Sequence, residues 1–344
     1  MLVSGAETGA SVAAYVDGRL VMDLWGGSAL KGVPWQPDTL VHTYSVTKPF
    51  AAACLLKLVA QERVDLDQPV ARYWPEYAAA GKDATTVRQV LSHQAGLIAW
   101  SSPQPVETLF DWDRATTLCA AETPWFRPGE GIGEALFLYG HVIGEIIRRV
   151  DGRSPGTFLA EELCGPRAIE FHIGLNESLR RRAADLVGMD GSWNAELLRD
   201  RTDLFARAMR NSPGVTNQAI VNSEAWRHAE VPAINGHGTA RGVATFYESL
   251  RRPLPGDTAL LSREVVAEAI RPQRQGPDLV LGQEVAWGLG FRVFEDGSFG
   301  MGGLGGAVGI ANPKKGYSFG YVTNRVADHT RADLVEQALI RCVG

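Results

Sequence analysis

Pro49 fixes where a helix can begin in this chain. Proline has no N–H and its ring collides with the carbonyl four residues earlier, so it is tolerated only in a helix's first turn. The apolar run Ala51 to Ala60 therefore belongs to a helix that cannot start much before Ser45. Ser45 then sits at or near the N-terminus, where free N–H groups and the macrodipole favour negative charge on an alkoxide or oxyanion. Lys48 follows about one turn later on the same face. A lysine desolvated there has its ammonium form disfavoured and can take the serine proton. Ser-x-x-Lys also arises by chance, with the serine merely capping a helix, so the pair needs support from elsewhere in the chain.

Composition narrows the function classes. A formal net charge of −5, with no basic run interleaved with aromatics, gives no reason to expect nucleic acid or an anionic membrane as partner. The apolar stretches fall well short of the ~18 residues a bilayer span needs, and the N-terminus lacks the basic-plus-apolar pattern of a signal peptide. Cys54, Cys119, Cys164 and Cys342 have no metal-ligand spacing and are expected as buried free thiols. That usage points to a reducing compartment, hence a cytoplasmic enzyme acting on a small-molecule substrate. The glycine-rich stretch 302–309 lacks the Lys-Ser/Thr ending of a phosphate loop. No metal and no cofactor are implied, and the oligomeric state is left open.

At 344 residues the chain can bury one large core or two subdomains. Residues 11–25 read as two strands around a turn at Asp17-Gly18. The C-terminal part repeats the style, with strands over 287–294, 307–311 and 317–323 and turns at Asp296-Gly297 and 312–316. Between them the period is helical, near 46–62, 86–92, 105–120, 138–151, 154–164 and 238–252. The stretch 210–234 reads as an irregular loop, and a last helix over 328–342 packs back on the sheet. The pattern predicts an α/β fold whose antiparallel sheet comes from both ends of the chain.

The supporting motifs are spread along the chain. After Ser45-Val46-Thr47-Lys48 come Val64-Asp65-Leu66-Asp67-Gln68-Pro69, Leu91-Ser92-His93-Gln94-Ala95-Gly96-Leu97, Pro128-Gly129, Gly236-His237-Gly238-Thr239, Trp287-Gly288-Leu289-Gly290 and Gly302-Gly303-Leu304-Gly305-Gly306. In this order they resemble the serine β-lactamase and penicillin-binding-protein superfamily, and within it the class C β-lactamase-like (family VIII) carboxylesterases. The resemblance implies a β-lactamase/DD-peptidase-like fold: a discontinuous α/β domain over 1–60 and 238–344, a helical domain over 61–237, and an active-site cleft between them. Relatives carry a helix before the first strand; only ten residues precede Ser11, so that helix is expected to be short or absent.

The resemblance also assigns roles. Beside the Ser45 nucleophile and the Lys48 that can take its proton if desolvated, the resemblance implies that the backbone N–H groups of Ser45 and Leu304 form the oxyanion hole. The tyrosine that relatives place near the nucleophile is replaced, in an ungapped alignment, by Glu134. Tyr139 is the nearest downstream tyrosine, but on a helix it would face away from a site that position 134 faces. Glu134 beside Lys48 is expected to form an ion pair that keeps the lysine protonated, and the carboxylate can then be the general base for Ser45 or an incoming nucleophile. The alternative is that Glu134 neutralises Lys48 in a site that has lost activity. Where relatives have a Lys-Thr-Gly or His-x-Gly strand, this chain has Gly300-Met301-Gly302-Gly303. Met301 can hold no charge, which favours a neutral or apolar acyl group, while Gly302 and Gly303 let substrate lie against backbone. Trp112 and His237 are further candidates for the substrate cleft; for Trp112 a helix N-terminus is the preferred reading. His93 reads as a turn histidine. The expected function is a serine-dependent acyl-enzyme esterase or amidase. A transacylase in specialised metabolism and a non-catalytic binding protein on the same scaffold are the alternatives.

Overall fold

The computed structural model describes residues 1–212, 214–252 and 259–343. Nine strands form an antiparallel sheet whose members come from both ends of the chain. These are β1 (Gly9–Val16), β2 (Arg19–Leu30) and β3 (Val33–Pro34), then β7 (Arg274–Pro277), β8 (Glu284–Trp287), β9 (Arg292–Val293), β10 (Phe299–Gly302), β11 (Val308–Asn312) and β12 (Tyr317–Thr323). Three two-residue strands, β4 (Val41–His42), β5 (Phe171–His172) and β6 (His237–Gly238), make a separate sheet in the order β4-β6-β5. The large sheet runs β3-β2-β1-β12-β11-β10-β9-β8-β7. Its centre is the pairing of β1 with β12, from Ala10↔Thr323 to Val16↔Tyr317.

Burial explains the layering. One face of the sheet packs Ala14, Tyr317 and Phe319 against Ala332 and Leu339 of the last helix, Thr330–Val343. The other face lies under the helix Ala240–Arg251 and under α1 (Thr47–Ala60). Eleven of the fourteen residues of α1 are buried, so this helix is enclosed on all sides, as a helix without a polar face must be. Phe50 on α1 stacks between Phe171 and Phe246, with centroids at 3.6 and 3.9 Å. Against its far side lies the helix Leu138–Asp151.

Several sequence expectations need correction. The single strand expected over 287–294 is two strands, β8 and β9, because Gly288–Phe291 leaves the sheet. Gly290 takes φ +89 there, and a Cβ on it would lie 2.2 Å from the Cβ of Ala52 on α1, so the chain presses against α1 where only glycine fits. The stretch 210–234 is not a plain loop. Asp203–Asn211, Gln218–Val221 and Glu224–His228 are helices, each opened by a side-chain cap at Thr202, Asn217 or Ser223; Pro213 lies outside the described residues. Among the cysteines, Cys54, Cys119 and Cys164 are buried free thiols, but Cys342 is exposed on the last helix. No described helix is long and apolar enough to cross a membrane.

Candidate active site

Ser45 occupies a single 3-10 turn, Tyr44–Val46, immediately before α1. Its neighbour Tyr44 takes φ +48, a left-handed conformation that is strained for a non-glycine residue and is kept only when the surroundings enforce it. They do: the Tyr44 hydroxyl donates to the Val215 carbonyl at 2.8 Å, and the Thr47 hydroxyl donates to the Tyr44 carbonyl at 2.5 Å. From behind, the Thr43 N–H donates to the Gly236 carbonyl and the Gly236 N–H to the Thr47 hydroxyl, at 2.9 and 2.8 Å. Between Val41 and Phe50, Ser45 is the residue that is not fully buried. The turn thus presents the Ser45 hydroxyl to a pocket of about 390 Å³.

Lys48 stands between the two other candidate groups. Its Nζ lies 2.8 Å from Ser45 Oγ and 3.0 Å from Glu134 Oε1. The lysine is completely buried, and that burial holds its pKa below the ordinary lysine value, against the opposing charge and hydrogen bond of Glu134. The ion pair expected from the sequence is therefore present, but burial works against the charged amine. Among the described residues no hydrogen bond joins Glu134 to Ser45, so a proton leaving the serine meets Lys48 first.

Glu134 does not lie on a helix. It belongs to an irregular segment ahead of Leu138–Asp151, so the rotation argument used for Tyr139 does not apply, although Tyr139 does turn away and donates to the Leu91 carbonyl at 3.2 Å. Two side chains hold the segment. The buried carboxylate of Asp278 accepts the Glu134 N–H at 3.0 and 3.2 Å, together with the Val280 N–H, the Leu281 N–H and Trp287 Nε1. His93, itself at φ +58, accepts the Ala135 N–H on Nδ1 at 3.1 Å and the Gly133 N–H on its carbonyl at 3.0 Å. Burial, and then the nearby Lys48, keep its pKa well below the histidine value, so the neutral ring can accept that bond. Asp278 escaped sequence reasoning, and His93, read as a turn residue, braces the segment that carries Glu134.

The opposite wall is the end of β10. Gly303 follows it, and a Cβ there would lie 2.0 Å from the Thr43 carbonyl oxygen. This close approach brings the turn 303–306 against the serine turn. The Leu304 N–H has no hydrogen-bond partner among the described residues, and such a free donor beside the nucleophile suits an oxyanion hole. Met301, Gly302, Gly303 and Leu304 all line the pocket with Ser45 and Glu134.

Two candidates do not join them. Trp112 is the first residue of the helix Trp112–Ala121, capped by Asp111, and its Nε1 donates to Glu145 at 2.9 Å, away from the pocket. His237 is completely buried on β6, with Nδ1 2.8 Å from the Asn235 carbonyl and its ring beside His42; it backs the nucleophile turn instead of lining the cleft. Conversely, Arg201, Phe205, Arg292 and His329 line the pocket and carried no motif. No cluster of three or more metal-ligating side chains occurs among the described residues.

The chain is similar to known proteins along nearly its whole length. The sequence model of the Beta-lactamase family matches residues 2–340. Esterase/beta-lactamase LipL of Mycobacterium tuberculosis is 32% identical over 338 residues, covering 92% of this chain and 77% of that protein. Among solved structures, a family VIII carboxylesterase superposes with TM-score 0.85 at 35% identity, covering 95% of this chain and 89% of the other. A penicillin-binding protein homologue from Caulobacter crescentus gives 0.82 at 36%, covering 94% and 88%.

Proposed function

The chain belongs to the beta-lactamase family, and on that premise we propose how its site performs acyl transfer. The protein is a serine acyl-enzyme hydrolase of the Ser-x-x-Lys type, with a small-molecule substrate. The observation that carries the mechanism is the buried line Ser45 Oγ, Lys48 Nζ, Glu134 Oε1, with successive separations of 2.8 and 3.0 Å. Ser45 Oγ attacks the substrate carbonyl carbon while its proton passes to the Lys48 amine, which burial favours in the neutral form. The ammonium so formed faces the Glu134 carboxylate. The carbonyl oxygen becomes an oxyanion held by the N–H groups of Ser45 and Leu304, an interaction whose single donors are worth about a hundred- to a thousandfold in rate. The C–O bond to the leaving alcohol then breaks, the alcohol takes the proton from Lys48, and the acyl group stays on Ser45. Water oxygen then adds to the acyl carbon as Lys48 or Glu134 takes its proton, the bond from that carbon to Ser45 Oγ breaks, and the proton passes to Oγ, which frees the acid and restores the serine.

The acyl group is neutral or apolar in this reading, because Leu136, Phe137, Leu197, Phe205 and Val215 are among the residues that line the pocket and Met301 replaces a charged anchor. Glu134 also lines the pocket, so its carboxylate can activate an amine or alcohol as well as water. That observation favours a transacylase in specialised metabolism as the second reading. The pocket is taken as the cleft between a discontinuous α/β domain, 1–60 with 238–344, and a helical domain, 61–237, in a cytoplasmic enzyme. Intact-mass analysis after a fluorophosphonate tests the scheme: one adduct, on Ser45, lost in Ser45→Ala. An unreactive Ser45, with no turnover across ester, amide and thioester panels, would favour a binding protein instead.

A further inference from the structure

The turn that carries Leu304 is held by a side chain from outside the cleft. Gly305 and Gly306 take φ +89 and +110, and successive glycines have no side chains with which to fix a loop. The turn's position therefore depends on bonds from its surroundings. Two reach the Gly305 carbonyl: the Ala327 N–H donates to it at 3.1 Å and Arg331 Nη2 at 3.0 Å. The same Nη2 donates to the carbonyls of Arg325, at 2.9 Å, and Asp328, at 3.4 Å. One guanidinium thus ties the turn to the segment between β12 and the last helix.

From Arg331 the bonds run on to Leu304. The Gly305 carbonyl and the Gly306 N–H belong to one peptide group, and that N–H donates to the Gly303 carbonyl at 3.1 Å. The Gly303 carbonyl in turn shares a peptide group with the Leu304 N–H. A cation at the head of such a chain draws electron density through each peptide group and makes the last N–H a stronger donor. The chain fixes the direction of that N–H as well.

The other edge of the guanidinium meets Glu7. Arg331 Nη1 lies 2.7 Å from Glu7 Oε1, and both side chains are more than nine-tenths buried. Glu7 also accepts the hydroxyls of Tyr321 and Thr323 on β12, the latter at 2.6 Å. Neither Glu7 nor Arg331 lines the Ser45 pocket. A sealed ion pair adds little net stability over an apolar pair of similar size, because desolvation cancels much of the attraction. What it supplies is direction: with one edge fixed by a carboxylate that β12 orients, the planar fork aims its remaining N–H groups at the Gly305 and Arg325 carbonyls.

Resting on the acyl transfer proposed above, we propose that Glu7 and Arg331 are positioning residues of the oxyanion hole, which orient and polarise the Leu304 N–H through two peptide groups.

The test uses Glu7→Gln, Arg331→Met and the double variant that carries both, assayed on an activated ester. Each single change leaves a buried charge without its partner, whereas the double change removes both charges. The double variant is therefore expected to regain thermal stability relative to the singles. Its kcat is nevertheless expected to stay about tenfold or more below wild type with KM little changed, as for an interaction made only in the transition state. A stable double variant with wild-type kcat, or one whose loss lies in KM, overturns the inference. Amide exchange read by NMR tests the same hold without turnover. Exchange at the Gly306 and Ala327 N–H groups should quicken by about tenfold in the double variant, while Phe319 on β12 keeps its protection. Quickened exchange in a protein that hydrolyses no ester upholds the hold on the Leu304 turn and counts against the hydrolase reading alone. Unchanged exchange removes the hold and leaves that reading standing, since it rests on the labelling of Ser45.

Discussion

In the proposed mechanism Ser45, Lys48 and Glu134 act as a relay whose middle member is the most buried, and this arrangement makes the roles separable. Lys48→Ala removes the positioned proton acceptor and should lower acylation by about a hundredfold or more, measured as kcat/KM on an activated ester. The pH dependence carries more information. Burial depresses the Lys48 pKa and the Glu134 carboxylate raises it. The reactive neutral amine therefore accumulates as pH rises, with an inflection below that of an ordinary lysine. Glu134→Gln removes the raising influence, so the inflection of the pH–kcat/KM profile should move to lower pH even as activity falls. An upward shift would show that the carboxylate is not the partner that sets the amine. Near-wild-type activity of Glu134→Gln on the natural substrate would remove the carboxylate from catalysis altogether.

At the scale of elements, the turn after β10 and the small sheet behind Ser45 each hold the nucleophile from one side. Gly303→Ala places a methyl group against the Thr43 carbonyl, with backbone on both sides of the contact. It should push the Leu304 N–H away from the oxyanion and lower kcat by about a hundredfold with KM little changed, which steady-state kinetics can read. The small sheet pairs His42 with His237. Burial lowers the His42 pKa to about 3 and His237 well below its ordinary value. Below pH 6.5 the unfolded chain binds protons that these folded histidines refuse, so stability should fall as pH drops from 6.5 toward 4, by about 1.4 kcal/mol per pH unit for each such histidine. Urea titrations across that range check it, and His42→Gln should flatten the slope. The start of α1 and the place of Glu134 were legible in the sequence, because proline chemistry and an ungapped alignment act locally. Arg292 and His329 were not, since strand pairing and chain packing alone carry them to the pocket. The short helices of 203–228 had too few turns to show a period, and their caps at Thr202, Asn217 and Ser223 were the readable signal.

On the scale of the whole molecule, the strand order decides when function can appear. β12 is the last strand among the described residues, yet it lies in the middle of the sheet between β1 and β11. During synthesis, β1 and β2 leave the ribosome long before their central partner exists, and the turn that supplies Leu304 arrives late as well. Pairings between such distant segments close slowly. Catalytic competence should thus be post-translational: fluorophosphonate labelling of Ser45 is expected after the full chain is released and absent from a fragment of residues 1–316. Labelling of that fragment would mean that the cleft forms without its central strand. With this late strand in the centre of the sheet, a chain that stops before β12 is expected to leave the cleft unassembled and Ser45 silent.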